Sequence, residues 1–340
     1  MKLIMPSYCT AFECSAEKCS DNCCIGWEID IDSETAGFYS GVKGDFGARL
    51  KKSIAHGECS SFILQGERCS FLNESNLCDI IINLGKEHLC QICADHPRYY
   101  EWFGDIKEGG LGLCCEEAAR LILTSEHPTL FTEEEIPYEE NDSFDKELFD
   151  LLCKARDRIF FFLYGYEDEG VKSAVSKVLY LAEKLQYNID NNIYALPVGY
   201  DRVQEKQGDM LSALKSFTAM EPIDEKWTDY LAGAISSYEE CKKGEDISFY
   251  QRNLLIYYIY RYFLKGTFDG EILSKVKLAC VSTAVISYFI RKEKADFQGI
   301  INVCKLFSKQ TEYSQENIDL LCELFYEKEN FESGKIIGLF

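Results

Sequence analysis

Twelve of the 17 cysteines fall between Cys9 and Cys115, spaced as metal ligands are: Cys14-x4-Cys19-x3-Cys23-Cys24, then Cys69-x8-Cys78, Cys90-x2-Cys93 and Cys114-Cys115. The other five, Cys153, Cys241, Cys280, Cys304 and Cys322, stand singly at wide intervals, as thiols that only fill a core do. Thiolates in such number suit Zn²⁺ or an iron–sulfur cluster, and neither hard cations nor blue copper. Zinc sites pair Cys-x2-4-Cys knuckles, and Cys14/Cys19 or Cys90/Cys93 would serve. A cluster needs four thiolates that need not be sequential. The adjacent pair Cys23-Cys24 discriminates. Neighbouring side chains point in different directions in helix and strand alike, so two irons of one cluster, or two separate centres, suit the pair better than one metal ion. The grouping therefore favours iron–sulfur over zinc.

Particular elements must hold these thiols. Residues 69–80 read as a short strand, a polar turn at Glu74-Ser75-Asn76 and a returning strand, a hairpin able to bring Cys69 and Cys78 together. Glu116 to Leu123, with Glu116 and Glu117 in its first turn and Pro128 beyond its end, reads as a helix starting at Cys114-Cys115. The positive end of its dipole would favour a thiolate there.

The chain's 340 residues exceed what one core usually organises, and make disulfide staples unnecessary. Residues 1–5 reach Pro6 after too few apolar positions for a secretory signal. The apolar runs Leu254–Tyr260 and Leu278–Ile290 end at Arg261 and Arg291, short of the roughly 20 residues of a membrane span. The expectation is a cytoplasmic protein with reduced thiols and no membrane partner. A net charge of −21 excludes a nucleic-acid partner, which needs a basic face. It is compatible with a cationic ligand, although a solvated acidic surface explains it equally well.

Between Glu133 and Asp150 nine acids face one base, Lys146, and such a run reads as an exposed connection. Beyond it, apolar residues recur at helical spacing, as in Leu148, Leu151, Leu152, Ala155, Ile159 and Phe162, and in Val171, Val175, Val178, Leu179, Ala182 and Leu185. Further helices are expected over Trp227–Cys241, Ser248–Phe263, Gly270–Ile290 and Ile318–Tyr326. No repeat or low-complexity tract is present. The expected fold is mainly α: an irregular cysteine-rich metal domain with a short β-hairpin over 1–130, an acidic linker over 131–147 and an all-helical domain over 148–340.

The segments Phe12-Glu-Cys14-Ser-Ala-Glu-Lys-Cys19-Ser-Asp-Asn-Cys23-Cys24-Ile-Gly-Trp27, Cys93-Ala-Asp-His96-Pro97-Arg98 and Leu113-Cys114-Cys115-Glu116-Glu117-Ala-Ala-Arg120-Leu121 resemble the bacterial flagellin lysine-N-methylase family. That family belongs to a wider group of cysteine-rich iron- or zinc-chelating domains. The residues from Asn253 to Leu264 and from Asp269 to Ala279 extend the likeness into the helical part. The resemblance implies a cytoplasmic enzyme that methylates lysine ε-amines of flagellin with S-adenosylmethionine and carries an iron–sulfur cluster, 4Fe-4S in preference to zinc. Carried over by position, it implies metal ligands at Cys14, Cys19, Cys23, Cys24, Cys69, Cys78, Cys93 and Cys115. The chain departs from the family at Cys114, where serine is expected, and at Glu116, where proline is expected. Cys115 keeps the register with Glu117 and Arg120. Cys9, Cys59 and Cys90 have no counterpart.

Neither a glycine-rich nucleotide-binding fingerprint nor the Cys-x3-Cys-x2-Cys spacing of radical enzymes is present, so S-adenosylmethionine would bind in another way. Its sulfonium would suit aromatic faces, for which Trp27, Tyr99, Tyr100 and Trp102 are candidates, although for each one singly packing around a small metal core is the favoured reading. His96 lies next to the cysteines and could act as a base or orient a ligand. Arg98 and Arg120 are the cofactor-binding candidates: Arg98 by gripping the carboxylate of S-adenosylmethionine, or, as favoured here, both by neutralising a thiolate-rich cluster. The alternatives to a methyltransferase are an iron–sulfur redox or electron-transfer protein and a metal-stabilised binding module without catalysis.

Overall fold

The structure is a computed structural model. It describes all residues except 20, 21, 27, 28, 58, 200, 224 and 240–244, and the side chain of Glu225. Trp27 and Cys241 therefore lie outside the described residues. The chain divides into two compact units: one of Glu13–Tyr99 with Cys115–Glu117, the other of Met1–Phe12, Tyr100–Cys114 and Ala118–Phe340.

The cysteine-rich unit is built of short pieces, as expected. Strands Asp30–Ile31, Ile54–His56 and Ser60–Phe62 form a small antiparallel sheet, and Leu64–Gln65 pairs with Arg68–Cys69. Helices Ser33–Gly41, Gly44–Lys52, Asp79–Leu84 and Gln91–Asp95 complete it. Its core is Tyr39, Leu50, Phe62, Phe71 and Ile80 together with the thiols of Cys69 and Cys90.

The expected hairpin is displaced. The tight turn falls at Gly66-Glu67, one strand earlier, where Gly66 takes φ +64°, a conformation a side chain would strain. Between Cys69 and Cys78 only the single bridge Leu72↔Cys78 forms. The polar loop there is closed by Asn73, whose Oδ1 accepts from the amides of Ser75 and Leu77 while its Nδ2 donates to Asp79. A side chain that satisfies loop amides competes with strand pairing, which is why two strands do not form.

In the second unit every regular element among the described residues from Lys146 onward is helical, in agreement with the sequence. Helices Lys146–Tyr164, Val171–Asp190, Ser248–Tyr262 and Gln315–Glu327 follow the apolar periodicity, and the first and last of them carry side-chain N-caps, Asp145 on the amide of Leu148 and Ser314 on that of Asn317. Helix Ile272–Glu293 is long and apolar enough to cross a membrane by length and composition, but 94% of its apolar window is buried in protein. It packs against helices Val171–Asp190, Ser248–Tyr262, Phe297–Glu312 and Gln315–Glu327, the position of a core helix.

A four-stranded sheet that the sequence did not reveal, all of it but residues 98 and 99 in this unit, has the order Arg98–Phe103, Ile106–Leu111, Lys2–Pro6, Phe131–Glu135. Lys2–Pro6 runs parallel to Ile106–Leu111 and antiparallel to Phe131–Glu135. Phe131–Glu135 comes from the acidic stretch expected as a linker. As an edge strand it exposes Thr132 to Glu135 while its backbone is satisfied by residues 2–6. Polar contacts help hold sheet to helices. Arg156 on helix Lys146–Tyr164 forks onto Glu108 at 2.6 and 2.7 Å, and the Tyr260 hydroxyl donates to the carbonyls of Ile4 and Gly109.

Candidate metal centre and the residues around it

Backbone hydrogen bonds gather the thiols in the cysteine-rich unit. The amide of Cys69 donates to the carbonyl of Cys24 at 2.8 Å, and that of Gly26 to Glu67 at 2.9 Å, laying the loop of Cys23 and Cys24 along the 64–69 hairpin. Asn22 fixes that loop, its Oδ1 accepting from the Cys24 amide and its Nδ2 donating to the Asn76 carbonyl. Cys78 caps helix Asp79–Leu84, whose first amide reaches back to Phe71. Cys90 caps helix Gln91–Asp95 and is fully buried, with Cys93 on that helix. Asp32 ties this helix to its neighbour by accepting from the amides of Gln91 and Thr35. Tyr39, also fully buried, donates its hydroxyl to the His88 carbonyl.

Six thiols thereby share one electrostatic environment: Cys23, Cys24, Cys69, Cys78, Cys90 and Cys93. Cys24 is pushed far above the usual thiol range, first by its hydrogen bond with Cys23, then by burial and the charges of Cys23, Cys69 and Cys78. Cys93 is raised likewise by its hydrogen bond with Cys90, by burial and by Cys90, Cys24 and Cys69. Cys90, the other member of that pair, is lowered. Burial lifts Cys69 to about 11. It lifts Cys78 too, against the pull of the amides of Ile81 and Ile80. Buried thiolates this close repel one another, so without a cation the protonated forms prevail. A bound metal reverses that balance and deprotonates its ligands.

The thiols are gathered as pairs. Among the described residues no three of His, Cys, Asp and Glu are grouped as the ligand set of one metal ion. Of the eight ligands implied by the sequence, five lie in this core: Cys23, Cys24, Cys69, Cys78 and Cys93. Cys90 joins them although no family position marked it; its Cys-x2-Cys spacing to Cys93 was the available signal. Cys14 is exposed, and Cys19, half-buried, follows the turn Ala16–Lys18.

The helix starting after Cys114-Cys115 is present as Glu116–Thr124. Cys115 belongs to the cysteine-rich unit and Cys114 to the helical one. The thiol of Cys114 interacts with the Tyr313 side chain and feels Arg261 and Glu312; burial lifts it to about 11. The helix is anchored at its far end by Asn253, whose Nδ2 donates to the carbonyls of Ile122, Leu123 and Ser125. Arg98 is half-buried in the cysteine-rich unit, and Arg120 is exposed in the other.

Two of the aromatic candidates for a sulfonium are already in use. The ammonium of Lys107 lies 4.6 Å from the ring centroids of both Tyr100 and Trp102 and donates to both oxygens of Glu139 at 2.9 Å. Trp102 Nε1 donates to the same carboxylate at 2.7 Å. These donors hold Glu139 below its usual range. The faces of Tyr100 and Trp102 are thus filled by the chain's own cation.

Comparison with known proteins identifies the class. The family described as the FliB lysine N-methylase C-terminal domain matches residues 165–339, and the chain belongs to this family of lysine N-methylases. Among individual relatives, the flagellar biosynthetic protein FliU of Salmonella muenchen is 33% identical over 127 residues, 35% of this chain and 75% of that protein. The lysine-N-methylases of Salmonella typhimurium and Salmonella choleraesuis are each 31% identical over 140 residues, 38% of this chain and 35% of theirs. The chain thus spans only about a third of the length of those two enzymes. No solved structure matches.

Proposed function

We propose that the protein transfers methyl groups from S-adenosylmethionine to ε-amino groups of protein lysines, with flagellin as acceptor, and that its thiol core holds an iron–sulfur cluster. Membership of the lysine N-methylase family carries the first part, and two Salmonella relatives bear the name lysine-N-methylase. The flagellar name of the FliU relative supports flagellin as the acceptor.

The donor set supports the second part. It consists of thiols alone: Cys69 and Cys90 are buried with Tyr39, Phe62 and Phe71, and Cys24, Cys78 and Cys93 pack half-buried against them, and thiolates are the usual ligands of such clusters. Cys24, Cys69, Cys78 and Cys93 would be the ligands, with Cys23 and Cys90 beside them; Cys14, Cys19 and Cys115 stand as further ligands implied by family position. A bound cluster would supply the positive charge that turns these thiols into thiolates. The chain's own part is to hold four separate segments in register through Asn22, Asp32 and the Cys24–Cys69 backbone bond.

Flagellin co-expressed with the intact protein is expected to gain mass in methylene steps at lysine residues, read by mass spectrometry against flagellin expressed alone. Unchanged flagellin, with a metal-replete protein that also fails to bind S-adenosylmethionine, would favour a redox role for the same thiols.

A further inference from the structure

The helical unit contains a buried carboxylate of which only one oxygen is engaged. Glu312, at the end of helix Phe297–Glu312, has a side chain 1% exposed. Its Oε2 accepts from the Tyr257 hydroxyl and the Arg261 guanidinium at 2.6 Å each, and more weakly from the Tyr262 hydroxyl at 3.4 Å. Its Oε1 is buried without a hydrogen-bond partner, and so is the hydroxyl of Tyr258. A buried acceptor left bare costs roughly 1–3 kcal/mol, and more when charged, so an arrangement that stacks three donors on one oxygen and none on the other requires an explanation. The ring of Tyr258 lies 5.0 Å from that of Tyr257 and is stacked on Tyr262. The Tyr257 hydroxyl also accepts the amide of Leu113, tying the cluster to the residue before Cys114. Next to Glu312, Tyr313 is 38% exposed and its side chain meets the thiol of Cys114.

We propose that Glu312 Oε1 and the rings of Tyr257, Tyr258 and Tyr262 form the seat of the substrate lysine's ε-amino group, entered past Tyr313. The inference rests on the methyl-transfer reading above. An empty acceptor calls for an N–H donor, which an ammonium supplies and a sulfonium does not, so the site suits the acceptor lysine and not the methyl donor. Tyrosine faces add cation–π attraction to a desolvated ammonium. Arg261 and the tyrosine hydroxyls occupy Oε2, which leaves the lone pairs of Oε1 as the position for one further N–H donor. The ammonium first gives a proton to Glu312 Oε1, which frees the nitrogen lone pair; the neutral amine then bonds to the methyl carbon as the carbon–sulfur bond of the sulfonium breaks to leave a thioether.

The test uses the full-length, metal-containing protein and two synthetic probes: a peptide with a single lysine, and the same peptide with that lysine ε-acetylated. The wild type is expected to bind the amine peptide about 10- to 100-fold more tightly, the range of a charged hydrogen bond. Glu312→Gln should abolish that preference and lower kcat/KM by a similar factor while retaining S-adenosylmethionine binding and iron content. Should the glutamine variant fail to fold, Glu312→Asp keeps the charge opposite Arg261 and withdraws the oxygen by one methylene; it should lose most of the preference. Equal wild-type affinity for the two peptides, or a preference that survives in the variants, overturns the proposal. A wild type that distinguishes the peptides through Glu312 yet transfers no methyl group would leave the ammonium seat standing and the methyltransferase reading refuted.

Discussion

Cys90 and Cys114 separate the chemistry of the thiols most clearly. Cys90 is hydrogen-bonded to Cys93 inside the thiol core, whereas Cys114 meets Tyr313 in the helical unit. Cys90→Ser is therefore expected to weaken metal binding through its contact with the ligand Cys93, and Cys114→Ser to leave it intact, measured as iron per protein. Cys280→Ser should keep its metal and lose only about 1–3 kcal/mol of stability for a buried hydroxyl, because nothing but burial acts on that thiol. The pH dependence follows from Cys69. An ordinary thiol releases its proton near 9, but the folded, metal-free protein holds this one to about 11. The folded state binds the extra proton between those values, so this contribution to stability is complete below about pH 9 and disappears as pH rises toward about 11. Metal-loaded protein should behave oppositely and fail on acidification, when thiolate ligands take up protons; melting temperatures of both forms across that range check the sign. The cysteine grouping was legible because its chemistry lies in residue identity and spacing. Glu312 was not: it is one of 57 acids and lies 50 residues beyond Tyr262, so only folding distinguishes it.

At the level of elements, the helices after Lys146 were legible because each buries one face at a period of 3.6. The sheet was hidden by distance and composition. Lys2–Pro6 finds its partners more than 100 residues away, and Phe131–Glu135 reads as a charge run because as an edge strand it needs no apolar alternation. The helix after Cys115 owes its position to Asn253. Asn253→Leu removes the three hydrogen bonds donated to the carbonyls of Ile122, Leu123 and Ser125, of which Ser125 keeps the Arg252 guanidinium as a donor, at an expected cost of about 2–4 kcal/mol. Denaturant unfolding would register this as a lower midpoint with an unchanged slope. Gly109 is constrained for another reason: a Cβ there would sit 2.9 Å from the Tyr100 ring, which is held under Lys107. Gly109→Val should therefore push Tyr100 aside and quench the coupling of that ring to Trp102, visible in near-ultraviolet dichroism.

Across the whole molecule, a net charge of −21 coexists with the buried ion pair Arg156–Glu108, which joins helices to sheet within the helical unit. Arg156→Met strands the Glu108 carboxylate and is expected to cost about 3–5 kcal/mol, whereas replacing both partners by apolar residues should recover most of it. The helical unit carries the lysine-methylase family match, and under the function proposed above the cysteine-rich unit would hold an iron–sulfur cluster. Elemental and sulfide analysis of protein purified without exposure to air tests that proposal most directly. Iron with inorganic sulfide in comparable amounts, lost in Cys24→Ser and Cys93→Ser and kept in Cys114→Ser, is the predicted result; zinc without sulfide, or equal metal content in all three variants, would contradict it.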